Sequence, residues 1–137
     1  MTLLALLDTD TLSEIMKGRD SNVEKKAKDY LKTYGQFRFS VITRYEILRG
    51  LKVKQALRQI TIFEDRSKKS YVYPLTDNII VQASDIYAYL YQQGLLISDA
   101  DILIAATALV HNLILITGNI EHFNRIPHLV SESWKLS

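Results

Sequence analysis

The chain has 137 residues, enough for one domain, and its 47% hydrophobic and 23% charged residues are typical of a globular protein. It contains no cysteine, which excludes disulfide scaffolds, cysteine-ligated zinc, Fe–S clusters and thiol catalysis. The net charge of +2 is unevenly distributed: residues 1–70 carry 15 Lys and Arg against 9 Asp and Glu, whereas residues 71–137 carry 2 against 6. The basic first half favours attraction to a polyanion, although lysine-rich solvated helix faces have the same composition.

The apolar start of the chain is typical of neither a secretory signal nor a membrane span. It has no basic segment before it, and it ends directly at Asp8. No stretch approaches the roughly 20 apolar residues that a membrane span needs. We therefore expect one soluble, cytoplasmic domain over residues 1–137, with no membrane association.

The first half of the chain alternates short apolar runs with amphipathic segments. The run 3–7 predicts a buried strand, and the periodicity then predicts two helices, 9–17 and 21–34, each ended by a glycine. Further predicted elements are a strand at 37–41, a helix that begins at Thr43, a helix at about 54–69 and a strand at 71–73.

The second half continues the same alternation. Thr76 is a good N-cap for a long helix that runs to Gly94, and Ser98 caps a helix from residue 99 to about 112. Apolar strands are predicted at 113–116 and 129–130. Strands that alternate with helices predict an α/β domain around a parallel sheet.

Polar side chains that could carry chemistry follow the predicted strands or open the helix before residue 113. These side chains are, in chain order, Asp8, Thr9, Asp10, Thr43, Glu46, Asp99, Asp101, Thr117 and Asn119. Because sites in parallel sheets form at the carboxyl ends of strands, we expect these side chains to lie close together. Grouped carboxylates raise one another's pKa unless a cation lies among them, and Mg²⁺ or Mn²⁺ prefers such oxygen ligands. The pattern therefore predicts a divalent metal site suited to phosphodiester cleavage.

Each of these residues also has a purely structural interpretation. The polar residues after the first strand could cap the helix that follows, where residues 11–14 spell a capping box, and Ser98 could begin a second one. Glu46 could pair with Arg49 on a solvated helix face, and Asn119 could be an ordinary turn residue. The functional interpretation depends on all of them meeting at one edge of the sheet.

The histidines and two tyrosines are interpreted as structural. No zinc-binding spacing includes the histidines, and we expect His111 and His122 to be structural or surface residues. Tyr87 and Tyr91 share a helix face, which favours packing in a core or in a dimer interface.

The polar residues fall in four sequence blocks: LLDTDTL, FSVITRYEIL, DADILIAA and ITGNIEHFNRIP. In this order the blocks resemble the PIN-domain ribonucleases and, more narrowly, the VapC-type toxins of toxin–antitoxin pairs. The resemblance implies a three-layer α/β/α domain with a central parallel sheet of four to five strands. It also implies a Mg²⁺- or Mn²⁺-dependent endoribonuclease, often acting on tRNA or rRNA, and a homodimer neutralised by a VapB-like antitoxin.

The resemblance implies catalytic roles for five residues. Asp8, Glu46 and Asp101 match the acidic core of the family and would bind the metal, with Asp99 as a supporting acid. Asn119 stands where the family has Asp or Asn, so a fourth carboxylate is missing here. A metal-activated water would then cleave the RNA and leave 5′-phosphate and 3′-hydroxyl ends.

Further residues are expected around this core. Those that would support the site are Asp10, Thr9, Thr43 and Thr117. Those that would contact the RNA backbone, as basic residues near Glu46 in sequence, are Arg38, Arg44, Arg49 and Lys52.

Two other functions remain open at this stage. The chain could be a catalytically silent PIN-like module that binds RNA or a partner, and a module of that kind would show no Mn²⁺ affinity. Less favoured is a haloacid-dehalogenase-like phosphatase with Asp8 as nucleophile, because Leu12 occupies the place where that motif has Thr or Val.

Overall fold

A parallel sheet forms the centre of the computed structural model, which describes residues 4–135. Its five strands are β1 (Ala5–Leu7), β2 (Arg38–Ser40), β3 (Tyr71–Tyr73), β4 (Ile114–Ile116) and β5 (Ser131–Glu132). They lie in the order β3-β2-β1-β4-β5, and every neighbouring pair is parallel. The central strand β1 therefore has a partner on each side, with Leu7 opposite Phe39 on one and Ile116 on the other.

Helices cover both faces of this sheet. They are α1 (Thr9–Lys17), α2 (Ser21–Tyr34), α3 (Val41–Val53), α4 (Leu57–Lys68), α5 (Asp77–Gln93), α6 (Asp99–Val110) and α7 (Ile120–Phe123). Successive strand residues point to opposite faces, so Leu6 packs in a core with α5, α6 and α7, whereas Leu7 packs in a core with α1 to α4. The expected three-layer α/β/α architecture is confirmed.

Local capping explains why several helix bounds follow the prediction. α1 and α2 end at Gly18 and Gly35, which adopt φ of +64° and +78°, a left-handed conformation that costs glycine little. The Thr76 side chain accepts a hydrogen bond from Ile79 N–H at the start of α5, as predicted. The predicted helices 9–17 and 21–34 are confirmed residue for residue.

Other bounds differ from the prediction. The strand expected at 37–41 is only Arg38–Ser40, and α3 begins at Val41 rather than at Thr43, because the Ser40 hydroxyl accepts the Ile42 N–H at 3.0 Å and caps the helix. α3 then continues to Val53, so the helix expected from 54 begins later, at Leu57. The expected strand 113–116 starts one residue later than predicted.

The end of the chain shows the largest differences. The predicted strand 129–130 is wrong: β5 lies two residues later, where Ser131 pairs with Leu115. The short helix α7 was not predicted, and α6 ends at Val110 rather than near residue 112. Leu3, included in the first predicted strand, lies outside the described residues. No helix within residues 4–135 combines the length and apolarity that a membrane span requires.

One tyrosine of the helices is buried in the core, and two others lie on the surface. Tyr30 of α2 is fully buried, and its hydroxyl accepts the Ala5 N–H at 3.1 Å, which fixes α2 against β1. Tyr87 and Tyr91 stack on each other on the exposed side of α5, so they lie outside the core of this chain, and the other expectation for this pair, a dimer interface, stays a prediction.

Candidate active site

The first site residue, Asp8, ends the central strand and begins α1. Its N–H donates to the Ile116 carbonyl at 3.0 Å, which extends the pairing of β1 with β4, and its carboxylate accepts the Thr11 N–H at 2.8 Å. Asp8 therefore caps α1, as the structural interpretation proposed. It is also only 4% exposed, at the carboxyl edge of the sheet where the functional interpretation places it.

The environment of Asp8 favours its neutral form. Burial raises the pKa of this carboxyl from 3.8 to about 6, hydrogen bonds from Thr117 and the Thr11 backbone oppose the rise, and the nearby charge of Asp10 adds to it. Within residues 4–135 no Lys, Arg or His forms an ion pair with Asp8. The protein thus holds a buried carboxylate without a cation of its own beside it.

Glu46 contacts Thr9, the residue that follows Asp8 in the chain. The Thr9 hydroxyl donates to Glu46 Oε1 at 2.6 Å and lies 3.0 Å from the hydroxyl of the fully buried Thr43. The guanidinium of Arg49 lies 3.6 Å from Glu46 Oε2 and 5.0 Å from the Tyr45 ring centroid. The ion pair expected from the helical spacing is therefore present, and it occurs at the site rather than on a remote face.

Asp101 brings the start of α6 to the same acidic region. Burial raises the pKa of Asp101, and the charges of Glu46 and Asp10 raise it further. A side-chain hydrogen bond from Ser98 to the Asp101 carboxyl and the charge of His122 act in the opposite direction. The electrostatic influence of Glu46 and Asp10 on Asp101 shows that these acids, which are far apart in sequence, lie near one another.

The loop after β4 contributes amide and imidazole groups. The Asn119 N–H donates to the hydroxyl of the buried Thr117 at 2.9 Å, and Asn119 Nδ2 lies 2.7 Å from His122 Nδ1. His122 thus belongs to the site region, which its spacing of three residues from Asn119 on a short helix could have indicated.

Asp99 is the first residue of α6, two residues before Asp101. It is exposed and borders a groove between α5 and α6 that is lined by residues such as Ile80, Ala83 and Tyr87.

The basic residues expected to contact RNA are also dispersed. Arg38 lies at the opposite end of β2 from the acids, where it donates to the Tyr73 hydroxyl at 2.8 Å and covers the Tyr71 ring. Arg44 is held by Glu64 and by the Ser67 hydroxyl, and it joins α3 to α4. Arg49 alone among the four contacts a site acid, in this case Glu46, while Lys52 is exposed near Glu64.

The oxygen donors of this region suit a hard divalent cation that takes its remaining ligands from water or substrate. Among residues 4–135, no three Asp, Glu, His or Cys side chains converge into a complete metal site. Mg²⁺ is usually bound through one or two carboxylates while water and phosphate oxygens complete its shell. The buried Asp8 carboxylate, which has no ion-pair partner among residues 4–135, is one ligand of this kind, and an ion bound to it would offset its desolvation.

Comparison with known proteins identifies relatives over almost the entire chain. The family model of the PIN domain matches residues 5–129. Ribonuclease VapC1 of Methanocaldococcus jannaschii is 33% identical over 121 residues, which cover 88% of this chain and 79% of the relative. Ribonuclease VapC2 of Haemophilus influenzae is 29% identical over 94% of this chain and 96% of its own length.

Solved structures show the same architecture. The crystal structure of VapBC2 from Rickettsia felis bound to a DNA fragment from their promoter matches with a TM-score of 0.82 at 23% identity, covering 97% of this chain and 100% of that one. The structure of VapBC-1 from nontypeable Haemophilus influenzae matches with a TM-score of 0.80 at 26% identity, covering 96% and 98%.

Proposed function

This chain belongs to the PIN-domain family, among the VapC ribonucleases, and we propose that it hydrolyses RNA phosphodiester bonds at the edge of the sheet where Asp8, Glu46 and Asp101 lie. The observation that carries the proposal is the buried carboxylate of Asp8, which has no cationic partner among the described residues. A buried carboxylate without a partner charge favours the binding of a cation. Glu46 and Asp101, from two other segments of the chain, supply further oxygen ligands beside it.

Asp8, Glu46 and Asp101 would hold a Mg²⁺ or Mn²⁺ ion. When bound, the ion supplies Lewis-acid polarisation of the scissile phosphate and activation of the attacking water. Hydrolysis adds one water across the phosphodiester and leaves a 5′-phosphate and a 3′-hydroxyl end. Asp10 adds negative charge that strengthens cation binding, since it already influences both Asp8 and Asp101.

Neighbouring groups fix the orientation of these ligands. Thr9 and Arg49 contact one oxygen each of Glu46, so its carboxylate has a defined orientation before substrate arrives. Thr43 supports Thr9 in this arrangement. Preorganised ligands of this kind lower the reorganisation cost of the reaction.

The groups after β4 are suited to the substrate side of the site. Thr117 donates to Asp8 and holds the Asn119 backbone, while the Asn119 amide contacts His122. We assign the Asn119 amide and the His122 imidazole to hydrogen bonds with phosphate or ribose oxygens of the RNA. Asp99, exposed in its own groove, remains a predicted supporting residue.

The proposal is tested by RNA cleavage with purified protein in Mg²⁺, Mn²⁺ or EDTA. Asp8→Asn and Asp101→Asn are each expected to reduce metal-dependent cleavage by at least 100-fold. Asp77→Asn is the control, because Asp77 is an exposed acid in the first turn of α5, as Asp101 is a partly buried acid in the first turn of α6. Full cleavage by both site variants would refute the proposal, and RNA binding without any cleavage by the wild type would instead support a catalytically silent module.

We propose in addition that the chain acts in the cytoplasm as a single domain on tRNA or rRNA and pairs with a VapB-like antitoxin. The antitoxin proposal is supported by the VapBC complexes to which this fold is similar. A homodimer is supported by the exposed apolar side chains on α5, among them Val81, Tyr87 and Tyr91. Light scattering on the chain, alone and with the product of an adjoining reading frame, tests both assemblies.

A further inference from the structure

We propose that single-stranded RNA reaches the acidic site along a groove between α1, α3 and α4, with its phosphates on Lys17, Lys54 and Arg66. This inference rests on the proposed ribonuclease function and adds a substrate path to it. The groove has a volume of about 410 Å³ and is lined by Thr9 and Glu46 as well as by the three basic residues. It is therefore continuous with the site and large enough for a ligand of nucleotide size.

The charge of the groove is complementary to a polyanion. Apart from Glu46, every charged residue that lines it is basic. Lys17 and Lys54 are exposed, and neither takes part in an ion pair within residues 4–135. Because the acids of the site repel phosphate, an RNA strand needs cations nearby that are not already neutralised.

Arg66 is the most informative of these cations. It is half-buried, its guanidinium lies 5.6 Å from the Phe37 ring centroid, and its Nε atom is buried without a hydrogen-bond partner. Burial lowers the pKa of Arg66, and no acid within the described residues pairs with it. A phosphate oxygen in the groove that accepts from the terminal nitrogens of this guanidinium would offset the cost of burying its charge.

The floor of the groove suits unstacked bases. Met16, Ile47, Leu51 and Ile62 give it an apolar surface between the basic residues. Bases of a single strand bind against apolar and aromatic surfaces while the backbone follows positive charge. Arg38 and Arg44 were expected to contact the RNA, but their guanidinium groups bind other side chains. The basic residues of the groove would make those phosphate contacts instead.

The test measures the binding of a fluorescein-labelled single-stranded RNA by anisotropy, in EDTA and over a range of KCl concentrations. Each phosphate contact on a single strand contributes about 0.7 to the slope of log affinity against log salt. Lys17→Ala/Lys54→Ala is therefore expected to reduce the slope by about 1.4, and Arg66→Met by about 0.7. Methionine retains an apolar stem over Phe37, and thermal melting verifies that each variant is folded.

The matched control is Lys25→Ala/Lys28→Ala, which removes the same charge from exposed positions of α2 outside the groove. It is expected to leave the slope unchanged. In the cleavage assay at 0.15 M salt, Lys17→Ala/Lys54→Ala should raise KM roughly 10-fold with kcat within about twofold, because neither lysine contacts the acids.

The outcomes separate this inference from the proposed function. If the wild type cleaves RNA but the groove and control variants have equal slopes and KM values, the groove inference is overturned and the ribonuclease remains. If the wild type does not cleave RNA while the groove variants still lose salt-dependent binding, the groove stands and the catalytic proposal fails. Unchanged RNA binding together with loss of binding to an antitoxin would assign the groove to a protein partner and would also overturn the inference.

Discussion

Replacing Asp8 with asparagine is expected to stabilise the protein while removing its activity. The pKa of Asp8 is about 6 in the folded protein, against 3.8 for an unperturbed carboxyl. At about 1.4 kcal/mol per pH unit, this difference means that ionised Asp8 costs the folded state about 3 kcal/mol above pH 7. Asparagine carries no charge and retains an oxygen for the Thr11 N–H, so Asp8→Asn avoids this cost.

The sign of the pH dependence follows from the raised pKa. Above pH 6 both the folded and the unfolded chain carry ionised Asp8, and the folded state bears the full cost. Between pH 6 and pH 4 the folded protein takes up a proton that the unfolded chain does not, so the wild type gains stability as the pH falls. The advantage of Asp8→Asn should therefore be about 2 kcal/mol larger at pH 8 than at pH 4.

Urea unfolding of the wild type and Asp8→Asn in EDTA, at pH 8, 6 and 4, measures this difference. Asp77→Asn is the control and should show no pH-dependent change of this size, because Asp77 is exposed. A stability difference between wild type and Asp8→Asn that is constant across this pH range would refute the reasoning. Repeating the series at pH 8 with Mn²⁺ at 100 times its Kd should stabilise the wild type by about 2.7 kcal/mol, with little effect on the variant.

Three further substitutions test other contacts. Thr9→Val removes the donor to Glu46 Oε1 and should lower kcat for RNA cleavage about 10-fold with little change in KM, as expected for loss of a hydrogen bond to a charged group. Tyr30→Phe leaves the Ala5 N–H without its acceptor and should reduce the free energy of unfolding by about 1–2 kcal/mol, measured in urea. Arg44→Ala should lower the melting temperature but leave the salt dependence of RNA binding unchanged, since its guanidinium is held by α4.

Each of these substitutions has an outcome that contradicts its premise. A Thr9→Val enzyme with wild-type kcat would show that the orientation of Glu46 does not limit the reaction. An unchanged stability of Tyr30→Phe would mean that another group satisfies the Ala5 backbone. A smaller slope of log RNA affinity against log salt in Arg44→Ala would show that Arg44 does contact the RNA.

The parts of the fold that were predicted from the sequence are those fixed by local interactions. α1, α2 and α5 have clear apolar periodicity and end at glycines in the left-handed conformation, so their bounds depend little on the rest of the chain. β5 could not be located in this way. Its two residues, Ser131 and Glu132, are polar, and only backbone pairing with β4 makes them a strand.

The site was predicted to the extent that it follows from sheet topology. The carboxyl ends of parallel strands meet at one edge, and this principle explains why Thr117, after β4, hydrogen-bonds to Asp8, after β1. That Asp8, Glu46 and Asp101 bind one ion together stays a prediction. The directions of long basic side chains could not be predicted, because proximity in sequence does not show which contact a guanidinium will make. Arg38 is directed to the tyrosines of β3, whereas Arg66, 20 residues beyond Glu46, lines the same groove as Glu46.

The central position of β1 has a consequence for the time at which the enzyme becomes active. Asp8 is translated early, but β1 has no partner on its β4 side until Ile114–Ile116 has been made. A nascent chain therefore has no complete pocket until most of the polypeptide has left the ribosome. The synthesis of Asp8 and the completion of the sheet edge around it are therefore separated in time by more than 100 residues of translation.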